Sequence, residues 1–237
     1  MKQSIWQSSL QTIKNIHKFR MYWIFIPSLI IWLIYLAAQH SSEGYFEFFH
    51  SFDVINIFGW EIELESYISN VEWFYFFLLF EVFKFVILTL LSPFNAYISE
   101  LYDQKLTGDQ FQFSLRRMLE DILRGLVITI TAFSLEMLFT GFWLVFNLFL
   151  PLEALTPFVY LLISSFFFGF AYMDPSLERH EYNVNKSWQF AFQNMSKCFA
   201  IGALFSIIMY VPHAGIIIAP PLITLIATDR FLSLKKS

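Results

Sequence analysis

The sequence predicts an all-α integral membrane protein with two long transmembrane helices, two membrane-penetrating helical hairpins and an N-terminal amphipathic helix. Three observations predict it. Apolar residues make up 57% of the chain and charged ones only 14%, gathered in clusters that leave long uncharged runs; soluble domains do not have this composition. Fourteen of the fifteen lysines and arginines fall in four segments, namely the N-terminus, 99–124, 174–197 and the tail. Such residues favour the cytoplasmic side, so the apolar stretches between the segments leave the cytoplasm and return to it. Finally, Val71–Gly108 opens with about twenty apolar residues, enough to cross a bilayer. It then turns polar after Leu91-Ser92-Pro93-Phe94-Asn95 without losing helical periodicity.

Each element follows in order. Residues 3–19 put Trp6, Leu10, Ile13 and Ile16 on one helical face and Lys14 and Lys18 elsewhere, the pattern of a helix lying on a membrane surface. A packing helix in a cytosolic layer is the other reading. Met21–Ala38 is the first span, long enough to stay as an anchor rather than act as a cleaved signal, with Pro27 at a depth where a kink is tolerated. Residues 39–72 hold seven acids and no lysine or arginine, which places them outside and the N-terminus in the cytoplasm. In this loop Tyr45, Phe46, Phe48, Phe49 and Phe52 suggest an aromatic shelf or an oligomer contact, and INIFGWEIEL (55–64) a short hairpin or turn.

The long helix returns the chain to the cytoplasm. Residues 125–173 carry only Glu136 and Glu153 as charges and break at Leu150–Pro157, leaving room for a hairpin of two nearly full-depth helices. Residues 198–228 are uncharged but number only 31, whereas two crossings need about forty plus a turn. They predict a re-entrant hairpin of two short helices turning at Val211–Gly215, with Pro212, His213 and Gly215 at its tip. Backbone freed at such a tip must be buried in protein or line a wet cavity. Residues 1–237 form one domain, and both termini are cytoplasmic.

Several function classes are excluded. A single cysteine, Cys198, leaves no internal disulfide and no CxxC metal or redox site. Five scattered histidines make no metal constellation. Nucleophile-elbow, zincin, phosphate-loop and dinucleotide patterns are missing, and so is a nucleic-acid footprint. No enzyme, cofactor, metal or nucleic-acid partner is expected; membrane lipids are.

Anion binding calls for convergent donors, which arginine side chains and helix N-terminal amides supply best. Candidates are Lys18 and Arg20 at the mouth of the first span, and Arg116, Arg117 and Arg124 before the first hairpin; basic residues at these places also mark topology and meet anionic lipid. Glu81 and Lys84 lie three apart on one helix face, close enough to pair. Charges at that depth are costly and point inward, so they line a pathway or form a neutralised structural pair. Glu136 is similar, as a hydrogen-bonding or proton-relaying acid. His213 reads first as a turn residue.

Three motifs then carry a resemblance: LLSPFNAYISELYDQKLTG (90–108), GFAYMDPSLERHEYNVNKSW (169–188) and VPHAGIIIAPPLITLIATDRFL (211–232). In order and spacing they resemble the family of the CysZ sulfate permease and etoposide-induced-protein-like membrane proteins, over nearly the whole chain. The resemblance implies two long transmembrane helices with two partly penetrating hairpins, a homo-oligomer, and uptake of sulfate across a bacterial inner membrane, channel-like or ion-coupled. The family's best-known members carry a Gly followed by arginines just before the first span, associated with sulfate binding. Here the segment reads Asn15-Ile16-His17-Lys18-Phe19-Arg20, with one arginine and no glycine. A non-transporting scaffold or envelope-organising protein with the same fold is the competing reading.

Overall fold

The computed structural model describes residues 5–34, 36–37, 54–57, 60–63, 65–108, 115–150 and 152–235; for 54–82, 115–118, 121, 148 and 153 only the backbone is described. The aromatic shelf expected at 45–52 therefore lies outside the described residues.

Helix α1 (Ile5–Phe19) is amphipathic, but its buried side is the polar one: Ser8, Ser9, Thr12 and Asn15, together with Ile16. Trp6, Leu10 and Ile13 face outward. The Ser8 hydroxyl donates to Asp229, and the Asn15 amide donates to the Tyr102 hydroxyl over 2.9 Å. Polar contacts thus hold the helix to the protein while its apolar stripe stays free, the disposition of a helix lying in a membrane interface. The chain then reverses at Arg20, whose φ is +53°. Helix α2 (Tyr22–Ile34) starts as a 3-10 turn, Tyr22–Phe25. Pro27 falls in the first α-helical turn after it, where a missing N–H costs nothing, so the irregularity expected at Pro27 lies one turn earlier.

The hairpin suggested by INIFGWEIEL is present as β1 (Val54–Ile57) and β2 (Trp60–Glu63), antiparallel with Val54 opposite Glu63 and Ile57 opposite Trp60. Helix α3 (Glu65–Thr107) has 43 residues, which at 1.5 Å each is about 65 Å, twice a hydrocarbon core of about 30 Å. It is long enough to cross a bilayer and continue beyond it. It stops at Gly108, whose φ of +81° only glycine adopts without penalty, and whose N–H closes the last turn on the Gln104 carbonyl at 2.9 Å.

Helices α4 (Leu115–Phe149) and α5 (Thr156–Arg179) form the first hairpin, joined across the expected break by a short 3-10 turn, Glu153–Leu155. Pro157 sits in the opening turn of α5, where its fixed φ helps start a helix. Asn183 caps α6 (Val184–Gln193) by accepting from the Lys186 N–H over 2.9 Å. The chain bends by 91° into α7 (Met195–Met209), and α8 (Ala214–Lys235) completes the second hairpin. Its turn uses His213 at φ +59°. A Cβ on Gly215 would lie 2.4 Å from the Ile208 carbonyl oxygen, so the two arms close on glycine there.

The 15 residues of α7 span about 22 Å, short of a full crossing. Helix α8 is longer than expected, 22 residues, because it does not stop where the apolar run ends at Thr228 but continues through Asp229 and Arg230. Among the described residues, four helical stretches are long and apolar enough to cross a membrane: Phe83–Thr107, Ile122–Asn147, Thr156–Arg179 and Ala214–Lys235.

Helix α5 is the centre of the fold, packed by α3, α4, α7 and α8. Phe168 stacks on Phe205 of α7 at 4.9 Å and meets Phe85 of α3 at 4.6 Å between ring centroids. The closest approach is between α5 and α7, where Gly169 faces the Cys198 carbonyl and Gly202 faces the Ser165 carbonyl.

Candidate functional site

Along α3, the residues Ser92, Asn95, Ser99 and Asp103 recur three or four apart and form a polar stripe on an otherwise apolar helix. The last three are buried. A buried polar stripe needs partners, and α4, α5 and α8 supply them.

At its C-terminal end, Asp103 is fully buried and meets Arg179 of α5, Nε to Oδ2 3.7 Å, and His180, Nε2 to Oδ2 3.3 Å. The Arg179 guanidinium also reaches the Ser99 hydroxyl and, at 3.2 Å, the Pro175 carbonyl. Thr228 of α8 joins through Ser99 at 2.7 Å and Ser176 at 3.2 Å. One network therefore locks α3, α5 and α8 together. Lys235 closes it with Nζ 2.9 Å from His180 Nδ1.

Burial and the neighbouring Lys235 push the His180 imidazole below its ordinary pKa of 6.5, while Asp103 opposes the shift. The unfolded chain then binds the proton more readily, so stability is full above the ordinary value and falls as pH drops below it. His180→Gln should flatten the acid side of the stability–pH profile in detergent. An unchanged slope would contradict this assignment.

Higher up, Arg124 of α4 grips Asp174 of α5 with two hydrogen bonds, Nε to Oδ2 3.0 Å and Nη2 to Oδ1 2.8 Å. It also reaches the Tyr182 carbonyl, Ser187 Oγ at 2.8 Å and Glu178 at 3.6 Å. Such bidentate pairing is strong and directional. Arg124, expected as an anion ligand, therefore turns its donors to the protein and ties α4 to α5 and to the start of α6. Arg116 and Arg117 lie in the first turn of α4; their side chains are outside the description.

Near the middle of α3, Lys84 is 5% exposed and its Nζ lies 5.1 Å from the centre of the Phe168 ring, a cation–π distance. Glu136 of α4, also buried, accepts from the Ser164 hydroxyl. Ser164 and Phe168 are one turn apart on α5, so the structure brings Lys84 and Glu136 to neighbouring turns of the same helix. The Glu81 side chain lies outside the description.

Lys18 and Arg20 are exposed at the end of α1. Lys105 of α3 joins them: the Lys18 and Lys105 ammoniums lie 5.5 and 5.4 Å from the centre of the same ring, Phe19. At the far end, His213 accepts from the Trp32 indole N–H over 3.3 Å, so Pro212, His213 and Gly215 form a tip resting on α2.

Sequence reasoning singled out Lys84, Glu136 and the terminal basic residues but missed Asp103, Asp174 and Arg179 as a buried framework. The available signal was the polar stripe of α3. Among the described residues no group of three or more His, Cys, Asp or Glu could hold a metal ion.

Compared with known proteins, the chain matches the family model described as sulfate transporter CysZ/etoposide-induced protein 2.4 over residues 6–220. It belongs to that family, whose known character is that of a sulfate-transporter-like membrane protein. No curated protein matches it.

Proposed function

We propose that this family member is a permease for sulfate or a related small anion, carrying it into the cytoplasm across a bacterial inner membrane, by a channel-like or ion-coupled route. Both termini are cytoplasmic in this reading, the α7–α8 hairpin is re-entrant, and the working unit is a homo-oligomer. Beside the family membership, the observation that carries it is Lys84. A cation 5% exposed within an apolar span, with Glu136 brought to the next turn of α5, is costly and is found where ions or protons pass. Lys18, Arg20 and Lys105 supply a basic mouth for the anion at the inner end.

Labelled-sulfate uptake into proteoliposomes tests the residues. Losing one charge-assisted contact costs about 1.5–3 kcal/mol, so Lys84→Ala and Arg20→Ala should each lower uptake about tenfold or more with insertion intact. Unchanged uptake in both variants would remove them from the mechanism. The second reading, a non-transporting scaffold, draws support from the single arginine in the segment before α2.

A further inference from the structure

The reversal between α1 and α2 at Arg20 gathers cations from two helices. Lys18 at the end of α1 and Lys105 near the end of α3 both bring their ammoniums within cation–π reach of Phe19, at 5.5 and 5.4 Å from the ring centre. The ring is itself held: it meets Tyr102 edge-on at 6.4 Å between centroids and packs on the small core of Ile16, Met21 and Ile98. Arg20 stands exposed next to it in the chain. No acid opposes these charges from α1 or the first turn of α2, since residues 5–25 contain none. On the nearby turns of α3, Asp103 is turned inward to Arg179, and Glu100 accepts from the Gln104 amide over 3.4 Å.

Aromatic side chains give the depth of this corner. Tyr97 lies two turns before Lys105 on α3, about 12 Å along the helix axis. It pairs with Trp23 of α2 at 6.0 Å between centroids, and both rings are exposed. Exposed tyrosine and tryptophan mark the headgroup level of a bilayer. Beyond them α2 exposes Ile26, Ile30 and Leu33, an apolar surface fit for acyl chains. The lysines therefore stand on the water side of an aromatic pair, at the depth of lipid phosphates.

We propose that this corner is a binding site for an anionic phospholipid, its phosphate held by Lys18 and Lys105 at the Phe19 ring and its acyl chains lying along Trp23, Tyr97 and α2. Lipid phosphate and sulfate are both tetrahedral oxyanions, so the lysines suit either; the apolar surface below them selects the lipid. The site goes beyond the permease reading and does not rest on it. In that reading the lipid borders the same basic mouth.

The test is the thermal midpoint of the purified full-length protein in uncharged detergent. It is titrated with phosphatidylglycerol, with phosphatidylcholine of the same acyl chains, or with sodium sulfate against sodium chloride at matched ionic strength. Phosphatidylglycerol should raise the midpoint saturably over phosphatidylcholine, and sulfate should not reproduce the rise. Lys18→Gln and Lys105→Gln should each raise the half-saturating lipid content about fivefold, the worth of one basic residue at an anionic surface. Lys186→Gln, at an exposed lysine of α6, should leave it unchanged. Coincident midpoints in the two lipids, an equal rise with sulfate alone, or an equal effect of Lys186→Gln would each overturn the proposal. No transport enters this readout, so failed sulfate uptake would sink the permease reading and leave this site standing.

Discussion

Gly202→Ala is expected to be one of the two most destabilising glycine-to-alanine changes in the described part of this protein. A Cβ at Gly202 would lie 1.8 Å from the Ser165 carbonyl oxygen and 2.8 Å from the Gly169 backbone nitrogen. Both are main-chain atoms of α5, held by the helix's own hydrogen bonds, so no rotamer change relieves the clash. The helices must separate, and Phe168–Phe205 stacking separates with them. In a membrane, where water does not drive helices together, close contact through small residues is a main source of association. Overpacking typically costs about 1–3 kcal/mol, and a clash with main-chain atoms falls at the upper end. Gly169→Ala should behave alike, its Cβ meeting the Cys198 carbonyl oxygen at 1.8 Å. Gly141, with nothing within 4 Å, is the control: alanine there should be neutral or gain up to about 1 kcal/mol of helix propensity. Thermal midpoints and size-exclusion profiles in detergent check the set. Equal behaviour of Gly202→Ala and Gly141→Ala would show that α5 and α7 do not meet as described.

Asp103→Leu is the second large effect. Asp103 has no exposed surface and Arg179 sits 3.7 Å away with a side chain 3% exposed. Removing the carboxylate leaves a guanidinium inside the protein, and breaking one half of a buried pair costs about 3–5 kcal/mol. The loss spreads to α8, which the network holds through Thr228 and Ser99. Replacing both partners, Asp103→Leu with Arg179→Met, should recover much of it, because two apolar groups leave no stranded charge. A double variant as unstable as the sum of the two singles would contradict a direct coupling.

What was legible in the sequence follows from what charge and hydropathy record. Clusters of lysine and arginine mark helix ends, so the two hairpins and their turns at Leu150–Pro157 and Val211–Gly215 could be placed to within a few residues. Pairing between helices leaves no such mark. Arg124 reads as one more cytoplasmic base until the fold sets Asp174 beside it, and nothing in the sequence shows that Lys84 and Glu136 approach neighbouring turns of α5 through Phe168 and Ser164. Helix α1 shows the limit most clearly. Its amphipathic pattern was plain, but a soluble protein would bury Trp6, Leu10 and Ile13, and this one buries Ser8, Thr12 and Asn15. Periodicity shows that a helix has two faces; only the solvent and the partners decide which turns inward. The length of α8 was hidden for a related reason, since Asp229 and Arg230 end the apolar run without ending the helix.

The measurement that bears most directly on the proposed function is labelled-sulfate uptake by proteoliposomes containing the unaltered protein, against empty liposomes and with chloride and phosphate as competitors. Saturable, protein-dependent uptake is the predicted result. Flat traces for all three anions, from protein shown to be folded and correctly inserted, would contradict it and leave the scaffold reading in its place.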